Sequence, residues 1–196
     1  MLWIGLTGGI ATGKSTATKV LREWGYPVVD ADAIAREVVS PGSKGLEQVV
    51  AEFGSDILTE KGELNRPRLG KVVFSDPEKR RKLEQILHPL IQTKVKEQRG
   101  LLESQGHAYA FYDVPLLFEN HLQDQFDQVV LIYTPRRLQL DRLMQRDGLD
   151  QAEAEKRLAA QMDIEIKKDL ADHIIDNQKT EVELAQELRQ LLNQLD

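Results

Sequence analysis

Residues 5–16 read GLTGGIATGKST, and within them Gly8, Gly13, Lys14 and Ser15 satisfy the spacing G-x-x-x-x-G-K-[ST]. A turn this rich in glycine can curl its backbone N–H groups around phosphate oxygens, and the positive end of a following helix adds attraction for the anion. Lys14 would then reach the β- and γ-phosphates as a compact charge, and the Ser15 hydroxyl would ligate Mg²⁺. The plainer alternative is a connecting turn with Lys14 in solvent. An apolar run before the turn and an amphipathic run after it favour the phosphate cradle.

A cradle alone does not name a reaction, because switches, motors, transporters and kinases share it. The chain lacks the N-K-x-D pattern that reads guanine in GTP-binding switches; DNQK at 176–179 has similar letters in the wrong order. Its 196 residues suit a small kinase. Phosphoryl transfer to an alcohol needs a carboxylate beside the acceptor oxygen, and Asp30 and Asp32 close the second candidate strand, where ligands of open parallel sheets collect. One of them can face the site while the other caps the next helix, with catalysis the favoured role for Asp32. Asp113 ends the third candidate strand, either as a carboxylate near the metal or as a strand-end turn residue. Arg142 and Arg146 stand four apart on a predicted helix, with Arg136 and Arg137 near its start. They form either a solvated face or a cationic arm that neutralises transferred phosphate. His88, His107, His121 and His173 show no metal-ligand spacing, and His88 before Pro89 reads as a polar residue at a helix junction.

The elements that must hold these residues alternate. Residues 2–7 are a short buried strand. Ala17, Val20, Leu21 and Trp24 then recur at i, i+3, i+4 and i+7, which predicts a helix over 14–24 stopped by Gly25. Further strands are expected at 27–31, 108–115, 128–134 and 173–176, and a packing helix at 180–195. Strands separated by helices pair in parallel through crossovers, so the expected fold is an α/β sheet with helices on both faces. Residues 32–104 are mostly helical and too long for a simple crossover; Ser75 or Asp76 is expected to cap a helix that has Pro77 at its first position.

Composition narrows the class. A net charge of −6 and a pI near 5.3 argue against broad nucleic-acid or membrane binding but leave room for a local basic pocket. With no cysteine there is no disulfide framework and no thiolate metal site. Apolar runs fall short of the roughly 20 residues that span a bilayer, and no basic-then-apolar leader stands at residue 1. A cytoplasmic protein acting on small molecules, monomeric or weakly homo-oligomeric, is expected.

With these residues in hand, the chain resembles the dephospho-CoA kinase family from its first strand to at least Asn177. The resemblance is carried by GLTGGIATGKST, VVDADAIAREVV (28–39), LHPLI (87–91), YDVPLLFE (112–119), RLMQRDGL (142–149) and RLAAQ (157–161). It implies a P-loop kinase fold: a parallel five-stranded sheet flanked by helices, formed by 1–31 and 105–196. A helical dephospho-CoA-binding insertion over 32–104 and a lid near 136–150 complete it. It also implies ATP and Mg²⁺, and phosphorylation of the ribose 3′-hydroxyl of dephospho-CoA. By position, Ala11, Thr12, Gly13, Lys14, Ser15 and Thr16 would bind the ATP phosphates, with Asn177 close to the adenine. Asp32 would orient or deprotonate the acceptor, Arg36 and His88 would lie toward dephospho-CoA, Asp113 would serve metal or acceptor, and Arg142 would belong to the lid. A nucleoside or nucleotide kinase and a regulatory ATP-binding switch are the alternatives. One departure stands out: the family commonly has glycine where this chain has Ala11, so the loop is free of strain only if residue 11 keeps φ below zero.

Overall fold

A computed structural model describes residues 1–74 and 76–195. The chain divides into two compact units, Met1–Val29 with Gln105–Asp196, and Asp30–Ser104.

The first unit carries the sheet. Its strands are β1 (Leu2–Gly8), β2 (Val28–Asp30), β3 (Tyr109–Asp113), β4 (Gln128–Tyr133) and β5 (His173–Asp176), in the order β2-β3-β1-β4-β5 and all parallel. β1 is central. Its residues are almost continuously buried, as expected of a strand covered on both faces. The register sets Leu6 beside Asp113 on one side and Val130 on the other, so the carboxyl end of β1 opens between the ends of β3 and β4. Helix α1 (Lys14–Glu23) follows the glycine turn, buries Ala17 and Leu21, and ends at Trp24 and Gly25, close to the expected 14–24. Ile4, Leu6, Leu21, Phe111 and Ile132 form the main core with α9 (Glu181–Leu195), which contributes Leu184, Leu188, Leu191 and Leu192 at helical spacing. The remaining helices of this unit are α6 (Arg136–Asp147), α7 (Gln151–Ala159) and α8 (Ile164–Leu170).

The second unit is helical: α2 (Ala31–Glu37), α3 (Lys44–Phe53), α4 (Arg66–Phe74) and α5 (Pro77–Ser104). Val39, Val49, Ile57 and Leu69 make its core, with Leu83, Ile86 and Leu87 of α5 packed against them. Asp76 caps α5 by accepting from the Glu78 and Lys79 N–H groups at 3.0 and 3.2 Å, with Pro77 first in the helix. Ser75, the other residue considered for that cap, lies outside the described residues.

Two local expectations fail. α5 runs unbroken for 28 residues through Pro89, so His88 marks no junction. Proline lacks the N–H that would bond the Gln85 carbonyl. The helix tolerates this because its 83–87 face stays packed on the core, and the Thr93 hydroxyl donates to the Pro89 carbonyl at 2.9 Å one turn later. The second strand stops at Asp30 rather than 31, because the Asp30 side chain accepts from the Ala33 N–H at 2.9 Å and starts α2 at once. Asp32 is therefore a first-turn helical residue instead of an extended one. No helix among the described residues is long and apolar enough to cross a membrane.

Candidate active site

The glycine turn between β1 and α1 sits at the carboxyl end of the central strand. Gly13 has φ 87°, and a Cβ there would stand 2.1 Å from the Asn177 side-chain nitrogen, so only glycine fits both the conformation and the neighbour. Ala11 has φ 59°, the left-handed region, so the condition for a strain-free loop is not met. Such a conformation costs an alanine roughly 1–2 kcal/mol.

Around the turn lies a cavity of about 510 Å³, of the size that holds a cofactor. Among the described residues, four cationic side chains line it, Lys14, Arg142, Arg146 and Lys179, against the one carboxylate of Glu181. In a chain of net charge −6, that concentration of positive charge is a local anion site. Ser15 and Thr16 line it as well, in the first turn of α1, at the positive end of the helix dipole. Lys14 Nζ hydrogen-bonds and pairs with Asp113 Oδ1, both largely buried. The Leu6–Asp113 register brings these two together from 99 residues apart. Arg142 Nη1 donates to Thr134 Oγ1 at 3.2 Å. Arg146 donates to Asp147 at 2.7 and 3.1 Å, which holds its guanidinium above its ordinary pKa and draws the Asp147 carboxyl below the carboxylate range. Asp147 also accepts from Arg157 at 2.9 Å, tying α6 to α7.

Asn177 lines the same cavity, buried, with its side-chain amide donating to the Thr12 carbonyl at 2.8 Å. Its N–H group is thus committed to the loop. Asp32, Arg36 and His88 are exposed residues of the second unit. Asp32 and Arg36 stand one turn apart on α2, and a Lys94–Glu37 ion pair at 2.7 Å joins α2 to α5, which carries His88. The structure therefore gathers Lys14, Ser15, Asp113, Arg142 and Asn177 in one place and sets Asp32, Arg36 and His88 on the helical unit.

Sequence reasoning missed the residues that hold the loop from outside. Gln161 Oε1 accepts from the Ile10 N–H at 2.8 Å, and Gln139 Nε2 donates to the Ile10 carbonyl at 2.6 Å. Lys167, fully buried on α8, donates to the Gly8 carbonyl at 3.3 Å and pairs with Glu119 at 2.7 Å. Glu119 also accepts from the Met162 N–H at 3.1 Å. Glu119 and Gln161 end the YDVPLLFE and RLAAQ stretches, so their place was marked without their role. Lys167 follows buried Ile164 at i+3, a spacing that put an ammonium on an apolar face and could have flagged it.

This geometry has relatives. The family model described as dephospho-CoA kinase matches residues 2–183. The chain belongs to the dephospho-CoA kinase family. It is 47% identical over 196 residues to a dephospho-CoA kinase of Bdellovibrio bacteriovorus, covering 100% of this chain and 97% of that one. With a Staphylococcus saprophyticus dephospho-CoA kinase it shares 46% identity over 189 residues, 96% of this chain and 91% of the relative. The solved structure of a dephospho-CoA kinase from Campylobacter jejuni superposes with a TM-score of 0.75 at 34% identity, covering 98% and 96%. The expected P-loop kinase fold of this kinase family, with its parallel five-stranded sheet, is the fold observed.

Proposed function

We propose that this chain transfers the γ-phosphoryl group of ATP to the ribose 3′-hydroxyl of dephospho-CoA, giving coenzyme A. The observation that carries the reading is the basic cavity around residues 8–16, in which Lys14 and Asp113 are already paired and Arg142 and Arg146 share the wall. The acceptor oxygen attacks the γ-phosphorus, the bond from that phosphorus to the bridging oxygen breaks, and ADP leaves with the electron pair. Asp32 orients the acceptor hydroxyl and takes its proton, while Arg36 and His88 bind dephospho-CoA. Ala11, Gly13, Lys14, Ser15 and Thr16 bind the triphosphate; Thr12, expected among them, is buried with its N–H and hydroxyl turned back on the Gly9 carbonyl and so shapes the loop, which Asn177 also holds beside the nucleotide. Arg142 meets the charge that spreads over the transferred group, and positioning with neutralisation supplies most of the rate.

The donor set fits Mg²⁺. Ser15 offers a hard oxygen in the cavity lining and Asp113 a second one beside it through its pair with Lys14, and among the described residues no group of three or more His, Asp or Glu side chains forms a cage. Mg²⁺ characteristically takes one or two protein oxygens plus phosphates and water, and once bound it neutralises the β- and γ-oxygens. An acidic chain without cysteine suits a cytoplasmic enzyme.

The test is ATP consumption with and without dephospho-CoA. Consumption that requires dephospho-CoA is expected; slow hydrolysis indifferent to it would indicate a switch protein, and a preference for nucleosides would indicate a nucleoside kinase. Asp32→Asn should lower turnover about 10²–10⁴-fold, the usual worth of a positioned base, with the circular dichroism spectrum retained. Arg142→Ala should lower kcat more than it raises the KM for ATP; a change in ATP KM alone would remove Arg142 from the transition state.

A further inference from the structure

The strained alanine in the phosphate loop asks what holds it there. Three consecutive peptide planes around Ile10 and Ala11 are each pinned. The plane joining residues 9 and 10 is fixed twice: the Ile10 N–H donates to Gln161 Oε1 at 2.8 Å, and the Gly9 carbonyl accepts from Thr12 Oγ1 at 2.9 Å. The next plane is fixed by the Ile10 carbonyl, which accepts from Gln139 Nε2 at 2.6 Å. The third is fixed by the Thr12 N–H, which turns back to the Gly9 carbonyl at 3.3 Å. Because each peptide is rigid and planar, fixing the planes on both sides of Ala11 leaves its φ and ψ no freedom. The observed φ of 59° is the result. A carbonyl held on the outer side of the loop also forces the N–H of the following residue to the opposite side. Lys167 on the Gly8 carbonyl, Gln139 on Ile10 and Asn177 on Thr12 therefore turn the N–H groups of Gly9, Ala11 and Gly13 away from themselves.

We propose that Gln139 and Gln161 are positioning residues that clamp Ile10 and thereby impose the left-handed conformation of Ala11 that aims the loop's N–H groups at the triphosphate. The inference rests on residues 8–16 being the phosphate site. Each glutamine acts on the loop through the Ile10 backbone; Gln161 also lines the cavity, whereas Gln139 does not. Gln139 is buried on α6 and Gln161 follows α7, and the side chains of Ile10 and Ala11 pack on Leu143, Ala154 and Leu158 of the same two helices. The clamp and the packing thus come from one helical pair. A Cβ on Gly9 would stand 2.5 Å from Gln139 Nε2, so the glutamine amide and the loop backbone are fitted at contact distance. Without the clamp, an alanine relaxes toward φ below zero, whereas a glycine at position 11 is equally at ease on either side.

That difference supplies the test, a double-mutant cycle read as the dissociation constant for ATP in the intact chain. Gln139→Met keeps the length of the side chain and removes the donor. With Ala11 present it should weaken ATP binding about tenfold, and in the Ala11→Gly background only about twofold, a coupling typical of residues in contact. The KM for dephospho-CoA should move by less than about twofold throughout, which separates positioning from general damage. Equal or larger losses in the glycine background would overturn the proposal, since a glutamine that merely supports α6 gives additive effects. Gln161→Leu, at a half-buried position, runs the same cycle should Gln139→Met not fold. Lys14→Ala is the control: undiminished ATP binding there would overturn the phosphate-site reading itself, whereas weakened binding with an additive cycle would overturn the clamp alone.

Discussion

Side chains 129 to 165 residues distant hold Gly8, Ile10 and Thr12 in the first unit, while in the second Asp30 sets the start of α2 from three residues away. The phosphate loop owes its shape to α6, α8, the end of α7 and the residue after β5, all of which must be folded before the loop is right. α2 owes its start to one cap and its placement to packing and an ion pair with α5. The lesson is that the loop, which looks like the most local of motifs, is the more tertiary of the two. It should be damaged by substitutions that sequence proximity would never suggest.

The strongest way to break that comparison is Lys167→Met. It strands the Glu119 carboxylate beside a buried backbone and removes the donor to Gly8, and breaking one side of a buried pair costs about 3–5 kcal/mol. Thermal or urea unfolding should show that loss, and adding Glu119→Gln should recover much of it; a single variant as stable as the parent would show the pair to be idle. A smaller effect is expected from Asp30→Ala, about 1 kcal/mol for a lost N-cap, seen in hydrogen exchange confined to the first turn of α2. If protection were lost across the whole helical unit instead, α2 would not be locally determined. The smallest effect is restricted in pH. The Tyr133 hydroxyl donates to Glu165 at 2.7 Å, and that bond, with burial and nearby carboxylates, pushes its pKa from 10.0 up to about 12. The folded state keeps this proton where the unfolded chain loses it, so the contribution is fully present below pH 10 and declines as pH rises toward 12. Tyr133→Phe should flatten that decline in the melting temperature, and an unchanged alkaline limb would dismiss the β4–α8 bond.

Much of the fold was legible because burial imposes periodicity. The apolar run at 2–7 and the i, i+3, i+4, i+7 pattern after Lys14 each state a buried face directly; in α9, Leu188, Leu191 and Leu192 did so too, whereas Val182, read with them, is exposed and Leu184 takes its place in the core. The α2 boundary was misread because Asp30 can end a strand or begin a helix, and only its bond to Ala33 decides. Pro89 was read as a break because the local rule against internal proline is sound, yet core packing on the preceding turn of α5 overrides it. Lys14, Ser15, Asp113 and Arg142 were visible from motif and spacing. The roles of Gln139, Gln161 and Lys167 were not, since a glutamine or lysine carries no mark of which backbone group it will meet.

By itself the sequence determined the alternation of strand and helix, the phosphate-binding turn and the family to which the chain belongs, because these follow from local chemistry and from spacing along one dimension. Only the tertiary structure decided that Lys14 rests on Asp113, that Ala11 is held in a left-handed conformation and that two distant glutamines grip Ile10. Those facts depend on which residues a parallel sheet and its crossovers bring within hydrogen-bond reach, and that distance is not written in the order of the chain.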